Sequence, residues 1–201
     1  MDLTVVIQAG GESQRMGENK ALLSFLGFPL IQRVVERVRP LAAELMITTN
    51  QPERFEFLQL PLVADIYSGR GALVGLHTAL SAASQPYVAV VACDMPFVST
   101  ELLAYQLDRL VKEEVDLVIP LTEQGHEPFH AVYRRATCLP AVTNALDTGL
   151  KRMISWYPQV KVRELVMGEL QRFDPAGRAF MNVNTPEEFL TAVKIAQTSE
   201  V

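Results

Sequence analysis

The chain has 201 residues, 49% hydrophobic and 20% charged, which is enough apolar material for the sizeable core of one large soluble domain. A net charge of −5 with no run of lysine or arginine excludes a broad nucleic-acid footprint, which would need a basic face, so an anionic ligand must meet a local positive site. Two cysteines, Cys93 and Cys138, are too few for a disulfide framework, no apolar run approaches the ~20 residues of a membrane span, and no basic segment leads into a long apolar stretch at the N-terminus; an unexported, cytoplasmic protein with no membrane partner is expected.

Taken in order, Leu3 to Ile7 is a strand-forming run of the kind buried on both faces in a parallel sheet, and it leads straight into a glycine-containing loop. Pro29 suits the first turn of a helix whose apolar positions, Leu30, Ile31, Val34, Val35 and Val38, recur at helical spacing until Pro40. Glu44 to Thr49 reads as a second strand ending at Asn50, and Leu60 to Ala64 as a third ending at Asp65. Glycines at 69, 71 and 75 precede and begin an alanine- and leucine-rich helix reaching Ala83, a second place where backbone can approach an anion. Tyr87 to Ala92 is the clearest buried strand and stops at Cys93-Asp94-Met95-Pro96.

Ser99 or Thr100 caps the next helix, Val115 to Pro120 is a strand, and a turn then leads to another strand from Phe129 to Tyr133, a pair expected to add an antiparallel edge. Ala136 to Leu146 is helical until Gly149, Lys151 to Tyr157 reads as one more short helix, and residues 160 to 180 carry only weak alternation. Thr185 and Pro186 open a last helix running roughly to Ala196. The expected fold is α/β: a Rossmann-like, doubly wound, three-layer α/β/α arrangement with a mostly parallel central sheet, in a single domain spanning residues 1–201.

The loop after the first strand, Gln8-Ala9-Gly10-Gly11 through Arg15-Met16-Gly17 to Lys20, reads as a phosphate cradle. Glu12 and Glu18 cancel Arg15 and Lys20, so backbone amides must carry much of the binding. The loop fits neither the P-loop spacing nor the dinucleotide G-x-G-x-x-G spacing. Asp94, at a strand end, has the chemistry of a ligand for a small hard cation, with a plainer reading as a turn cap. His126 and His130 lack a third ligand for zinc. Asn50 and Asp65 alone are most often turn residues, and Asn182 and Asn184 before a helix start are common turn formers.

The first loop resembles the L-A-G-G-x-x-x-R-M-G-x-x-K signature of nucleotidyltransferases. With T-T-N at 48–50, V-A-D at 63–65, G-A-L-V-G-L at 71–76, C-D-M-P at 93–96, H-A-V-Y at 130–133 and N-V-N-T-P-E-E at 182–188, the chain resembles the molybdenum cofactor guanylyltransferases over nearly its whole length. The resemblance implies GTP and molybdopterin as substrates, Mg²⁺ as cofactor and a transfer of GMP that forms molybdopterin guanine dinucleotide. An apo-molybdoenzyme or its chaperone would receive the product.

By the same resemblance, Arg15, Lys20 and Asp94 are the catalytic set, with Asp94 the metal ligand. Gln8, Ala9, Gly10, Gly11, Lys20, Asn50, Asp65 and Asp94 bind the nucleotide, Gln8 through its backbone, and His130, Asn182 and Asn184 face the pterin substrate. Three positions depart from the pattern: Gln8 where leucine is usual, Ala72 where proline is common, and Thr48 where asparagine can occur. Two alternatives stand beside this reading. One is the cytidylyltransferase of the same cofactor, whose first motif usually reads A-A-G; the other is a GTP sensor or cofactor escort without chemistry.

Overall fold

The computed structural model describes residues 2–10, 20–67 and 71–199. Strand β1 (Leu3–Gln8) is followed by a two-residue hairpin, β2 (Ser24–Phe25) and β3 (Phe28–Pro29), and by helix α1 (Leu30–Val38). Then come β4 (Glu44–Thr48), β5 (Leu62–Val63), α2 (Ala72–Ala82), β6 (Tyr87–Ala92) and α3 (Thr100–Lys112). Strands β7 (Leu117–Thr122), β8 (Gly125–His126) and β9 (His130–Arg134) precede α4 (Arg135–Asp147), β10 (Val162–Leu165), a short α5 (Met167–Leu170) and α6 (Pro186–Ser199).

The main sheet runs β10-β7-β9-β6-β1-β4-β5, with β8 paired to β7. Along that path β9 alone opposes its neighbours, pairing antiparallel with both β6 and β7. The fold is therefore the expected α/β arrangement around a mostly parallel sheet, but its antiparallel strand lies inside the sheet and not at an edge. The reason is visible in β9 itself: residues 130–133 are all buried, which an edge strand would not allow. The rim is instead β10, parallel to β7, in a stretch whose weak alternation concealed it. An edge strand has one neighbour to satisfy, so Val162-Arg-Glu-Leu165 can carry charge mid-strand. The helix expected over 151–157 is a run of turns leading into a 3₁₀ turn at Tyr157–Gln159.

Period-2 alternation in β1 divides the core. Leu3, Val5 and Ile7 face a cluster with α1 and α3, while Val6 faces a second cluster with α2, α4 and Trp156. A third, smaller cluster joins Phe25 and Leu30 to Val183, Ala192 and Ala196, so that α6 closes on the hairpin. Caps set the helix starts: Leu102 N donates to Ser99 Oγ (3.2 Å), and Glu188 N donates to Thr185 Oγ1 (3.1 Å) while Glu188 Oε2 accepts from Thr185 N (3.0 Å).

Trp156 is fully buried against Tyr133 and Tyr157, with ring centroids 6.2 and 5.0 Å away. Its truncation to alanine leaves a cavity beneath the sheet and lowers unfolding free energy by about 3–5 kcal/mol, measured by denaturant titration.

Candidate active site

Parallel strands that end together place whatever follows them along one edge. Gln8 is in register with Thr48 on β4 and with Ala92 on β6, so three chain segments leave the sheet at one level. Above this edge lies a cleft of about 710 Å³, in the size range that holds small molecules. Its lining includes Gln8, Ala9, Gly10 and Lys20, Asn50 and Asp65, Asp94, and Asn182 and Asn184. Arg15 and Gly11 lie outside the described residues, as do Ser68 to Arg70 ahead of α2.

At one end of the cleft Lys20 forms an ion pair with Asp94, and its Nζ also donates to Asn184 Oδ1 (2.7 Å). Both members of the ion pair are largely buried, with 18% and 9% of their side-chain surfaces exposed. Burial excludes the competing water that makes surface ion pairs weak. The N-V-N segment reaches this point by alternation. Val183 N donates to the carbonyl of Asp94 (3.0 Å) while its side chain enters the third cluster, and Asn182 and Asn184 on either side line the cleft.

At the other end Asn50 and Asp65 bind each other reciprocally. Asn50 Nδ2 donates to Asp65 Oδ2 (2.7 Å), and Asp65 N donates to Asn50 Oδ1 (3.0 Å). This pairing fixes the carboxylate at the mouth of the β4–β5 edge, where it offers acceptors and no donor.

The glycine loop is less free at its start than its sequence implies. Ala9 N donates to Thr48 O (2.9 Å) and Gln8 O accepts from Cys93 N (3.0 Å), so these groups belong to the sheet. Open backbone begins at Gly10, which is exposed and has nothing within 4 Å of where a Cβ would stand. Across the cleft, Gly71 starts α2 at φ +145°, a conformation that excludes most side chains. Thr48, Cys93 and Phe129 also line the cleft, although no motif pointed to Phe129, which follows Pro128 just before β9. Cys93 has its thiol pushed up to about 12 by burial, which keeps it protonated and out of nucleophilic chemistry.

His130 corrects the sequence reading. Its side chain is fully buried and absent from the cleft lining. Nε2 accepts from Ser99 N (3.1 Å), the ring packs edge-on to Phe180 at 5.2 Å, and the His130 carbonyl accepts from Gln106 Nε2 (2.8 Å). The imidazole thus fastens the start of α3 to β9, and it is held neutral.

For a metal, the donor set is sparse. No group of three His, Cys, Asp or Glu gathers among the described residues, which does not suit zinc. A lone carboxylate at a strand end suits Mg²⁺, which keeps several waters and shares its remaining positions with phosphate oxygens. Among the described residues no helix is long and apolar enough to cross a membrane.

Comparison with known proteins places this geometry. Residues 5–162 match the family model described as the MobA-like NTP transferase domain. The chain belongs to this family of nucleotidyltransferases. Within it, a probable molybdenum cofactor guanylyltransferase from Carboxydothermus hydrogenoformans is 35% identical over 199 residues, covering 99% of both chains. The crystal structure of molybdopterin-guanine dinucleotide biosynthesis protein A from Archaeoglobus fulgidus superposes with a TM-score of 0.84 at 26% identity, over 97% of this chain and 99% of that one. The MobA-like fold extends to 2-C-methyl-D-erythritol 4-phosphate cytidylyltransferase from Thermus thermophilus, with a TM-score of 0.70 at 17% identity over 96% and 98% of the chains. Fold alone therefore does not distinguish a guanine site from a cytosine site.

Burial lowers the His130 pKa from 6.5 to about 4. Between these values the unfolded chain binds a proton that the folded one refuses, so stability is complete above pH 6.5 and falls as pH drops toward 4. The loss expected from this residue is about 3 kcal/mol, and urea unfolding of His130→Gln across that range should show a flatter profile than the parent.

Proposed function

We propose that the protein is a molybdenum cofactor guanylyltransferase, which joins GMP from GTP to the terminal phosphate of molybdopterin within a single domain. The observation that carries this reading is the polarity of one cleft: an ion-paired lysine and aspartate with Asn184 against the lysine at one end, Asn182 in the lining, and an acceptor-rich Asn50–Asp65 pair at the β4–β5 side. A triphosphate suits the first end, a base or ribose edge suits the second, and the asparagines, with no net charge, suit the phosphate of a second substrate. The names of the relatives support the same substrates.

In this reading an oxygen of the molybdopterin phosphate attacks the α-phosphorus of GTP. The new P–O bond forms as the bond to the β-phosphate oxygen breaks, and pyrophosphate leaves. The nucleophile is already anionic near neutral pH, so the reaction requires neither a general base nor a covalent enzyme intermediate. Positioning and charge stabilisation supply the catalysis.

Lys20 is prepared for this work because Asp94 and Asn184 hold its ammonium at the cleft before any nucleotide arrives. The ion pair also gives each charge an exchangeable partner: the ammonium passes to phosphate oxygens, and the carboxylate becomes available to Mg²⁺. When bound, Mg²⁺ neutralises charge on the phosphates. By the motif resemblance Arg15 would offer the phosphates a planar guanidinium, and the glycines that begin at Gly10 would let backbone approach the nucleotide. Asn182 and Asn184 orient the incoming phosphate. Release of the product to an apo-molybdoenzyme or its chaperone, in the cytoplasm, completes the role.

Lys20→Ala and Asp94→Ala should each lower turnover by roughly 10²-fold or more while the fold survives, followed as pyrophosphate release from GTP, Mg²⁺ and molybdopterin with circular dichroism as the check on folding. Retention of normal turnover in a folded variant would remove that residue from catalysis. Competition binding should favour GTP over CTP; the reverse order would make the protein a cytidylyltransferase, and GTP binding without pyrophosphate release would make it a sensor or escort.

A further inference from the structure

The floor of the cleft holds a side chain that the mechanism above leaves idle. In β1 the alternation that turns Val6 toward α2 also turns Gln8 that way, two residues on. The Gln8 carboxamide lies against Gly75 of α2. A Cβ built on Gly75 would stand 2.8 Å from Gln8 Oε1 and 3.1 Å from Cδ and Nε2, so the carboxamide occupies space that a glycine leaves. Gln8 Nε2 is buried and has no hydrogen-bond partner, yet Gln8 lines the cleft and is not enclosed in a core. A buried donor left unpaired is disfavoured, and a donor in this position has a natural partner in a ligand.

The ligand atom follows from the rest of the cleft. Asp65 is acceptor-only and suits the ring N–H groups of a base; it offers nothing to a carbonyl oxygen. A 6-oxopurine presents a carbonyl next to a ring N–H, and a donor at the floor of the cleft would pair with that carbonyl where the usual leucine would not. We infer that the Gln8 side chain is a specificity-determining reader of the nucleobase, donating from Nε2 to the 6-oxo oxygen of a guanine nucleotide. The inference rests on the guanylyltransferase reading and deepens it. It also changes the role of Gln8, from a residue acting through its backbone to one acting through its amide. The sheet already uses the Gln8 carbonyl, while Nε2 stays unpaired just beneath the lining of the cleft and meets a ligand once the carboxamide turns toward it.

The test compares equilibrium binding of GTP and of 2-aminopurine riboside triphosphate, which lacks the 6-oxo group, to the parent chain, Q8L and Gly75→Ala. Leucine fills the same space without a donor. Alanine at 75 places a methyl group against the carboxamide and displaces it, which provides a second route to the same outcome should Q8L fold poorly. The parent should prefer GTP, and that preference, expressed as a ratio of Kd values, should fall about tenfold in both variants, the size of one neutral hydrogen bond. A residue that only shapes the floor would weaken both nucleotides equally. An unchanged ratio in variants that still bind GTP overturns the inference and leaves the guanylyltransferase reading intact. A parent chain that binds CTP in preference to GTP overturns both.

Discussion

The site depends on the common level at which β1, β4 and β6 end. Because the three strands are parallel and in register, Gln8, Thr48 and Ala92 form a row. Gly10, Asn50 and Asp94, each within two residues of this row, line the same cleft. Ala9 and Gly10, Asn50 with Asp65, and Cys93 with Asp94 are distant in sequence but share one edge because these strands, and β5 beside β4, run parallel. Reversing β9 does not disturb that edge, since β9 lies on the far side of β6. It contributes burial and the His130 bolt, and Phe129, just ahead of it, reaches the cleft wall.

Charge in the cleft is arranged so that the protein is satisfied without its substrates. The acidic chain has a local positive group where phosphates are expected, and Asp94 balances it. Asn50 and Asp65 likewise complete each other. Such pairing lowers the cost of keeping polar groups in a half-buried cleft and holds them in place at the same time. Among the described side chains that line the cleft, Gln8 Nε2 is the exception, buried and without a partner. An unpaired group in a cleft of mutually paired ones marks where the protein alone is incomplete.

Much of this was legible in the chain. Continuous apolar runs matched β1 and β6 closely, hydroxyl caps matched the starts of α3 and α6, and the family resemblance singled out Lys20, Asn50, Asp65, Asp94, Asn182 and Asn184, which line one cleft. What escaped was decided by partners remote in sequence. The burial of β9 depends on lying between β6 and β7, which no local pattern reports. His130 reads as a strand residue facing the pterin substrate until Ser99 is seen to donate to it. Gln8 was a small departure in a motif, and its importance depends on Gly75, sixty-seven residues away along the sequence. Strand β10 was obscured because an edge position permits the charges that usually argue against a strand.

The third cluster has a mechanical consequence. Phe25 of the hairpin meets Phe189 of α6 edge to face at 5.9 Å, and Val183 shares their cluster. The hairpin begins just after Lys20, and Val183 lies between the two asparagines. The lysine and the asparagine wall are therefore carried by a single jaw, clamped to the sheet edge by the hydrogen bond from Val183 to Asp94. The C-terminal fourteen-residue helix therefore packs on the same small core as the hairpin that follows Lys20 and the valine between the two asparagines, so a change in its seating displaces both sides of that jaw together.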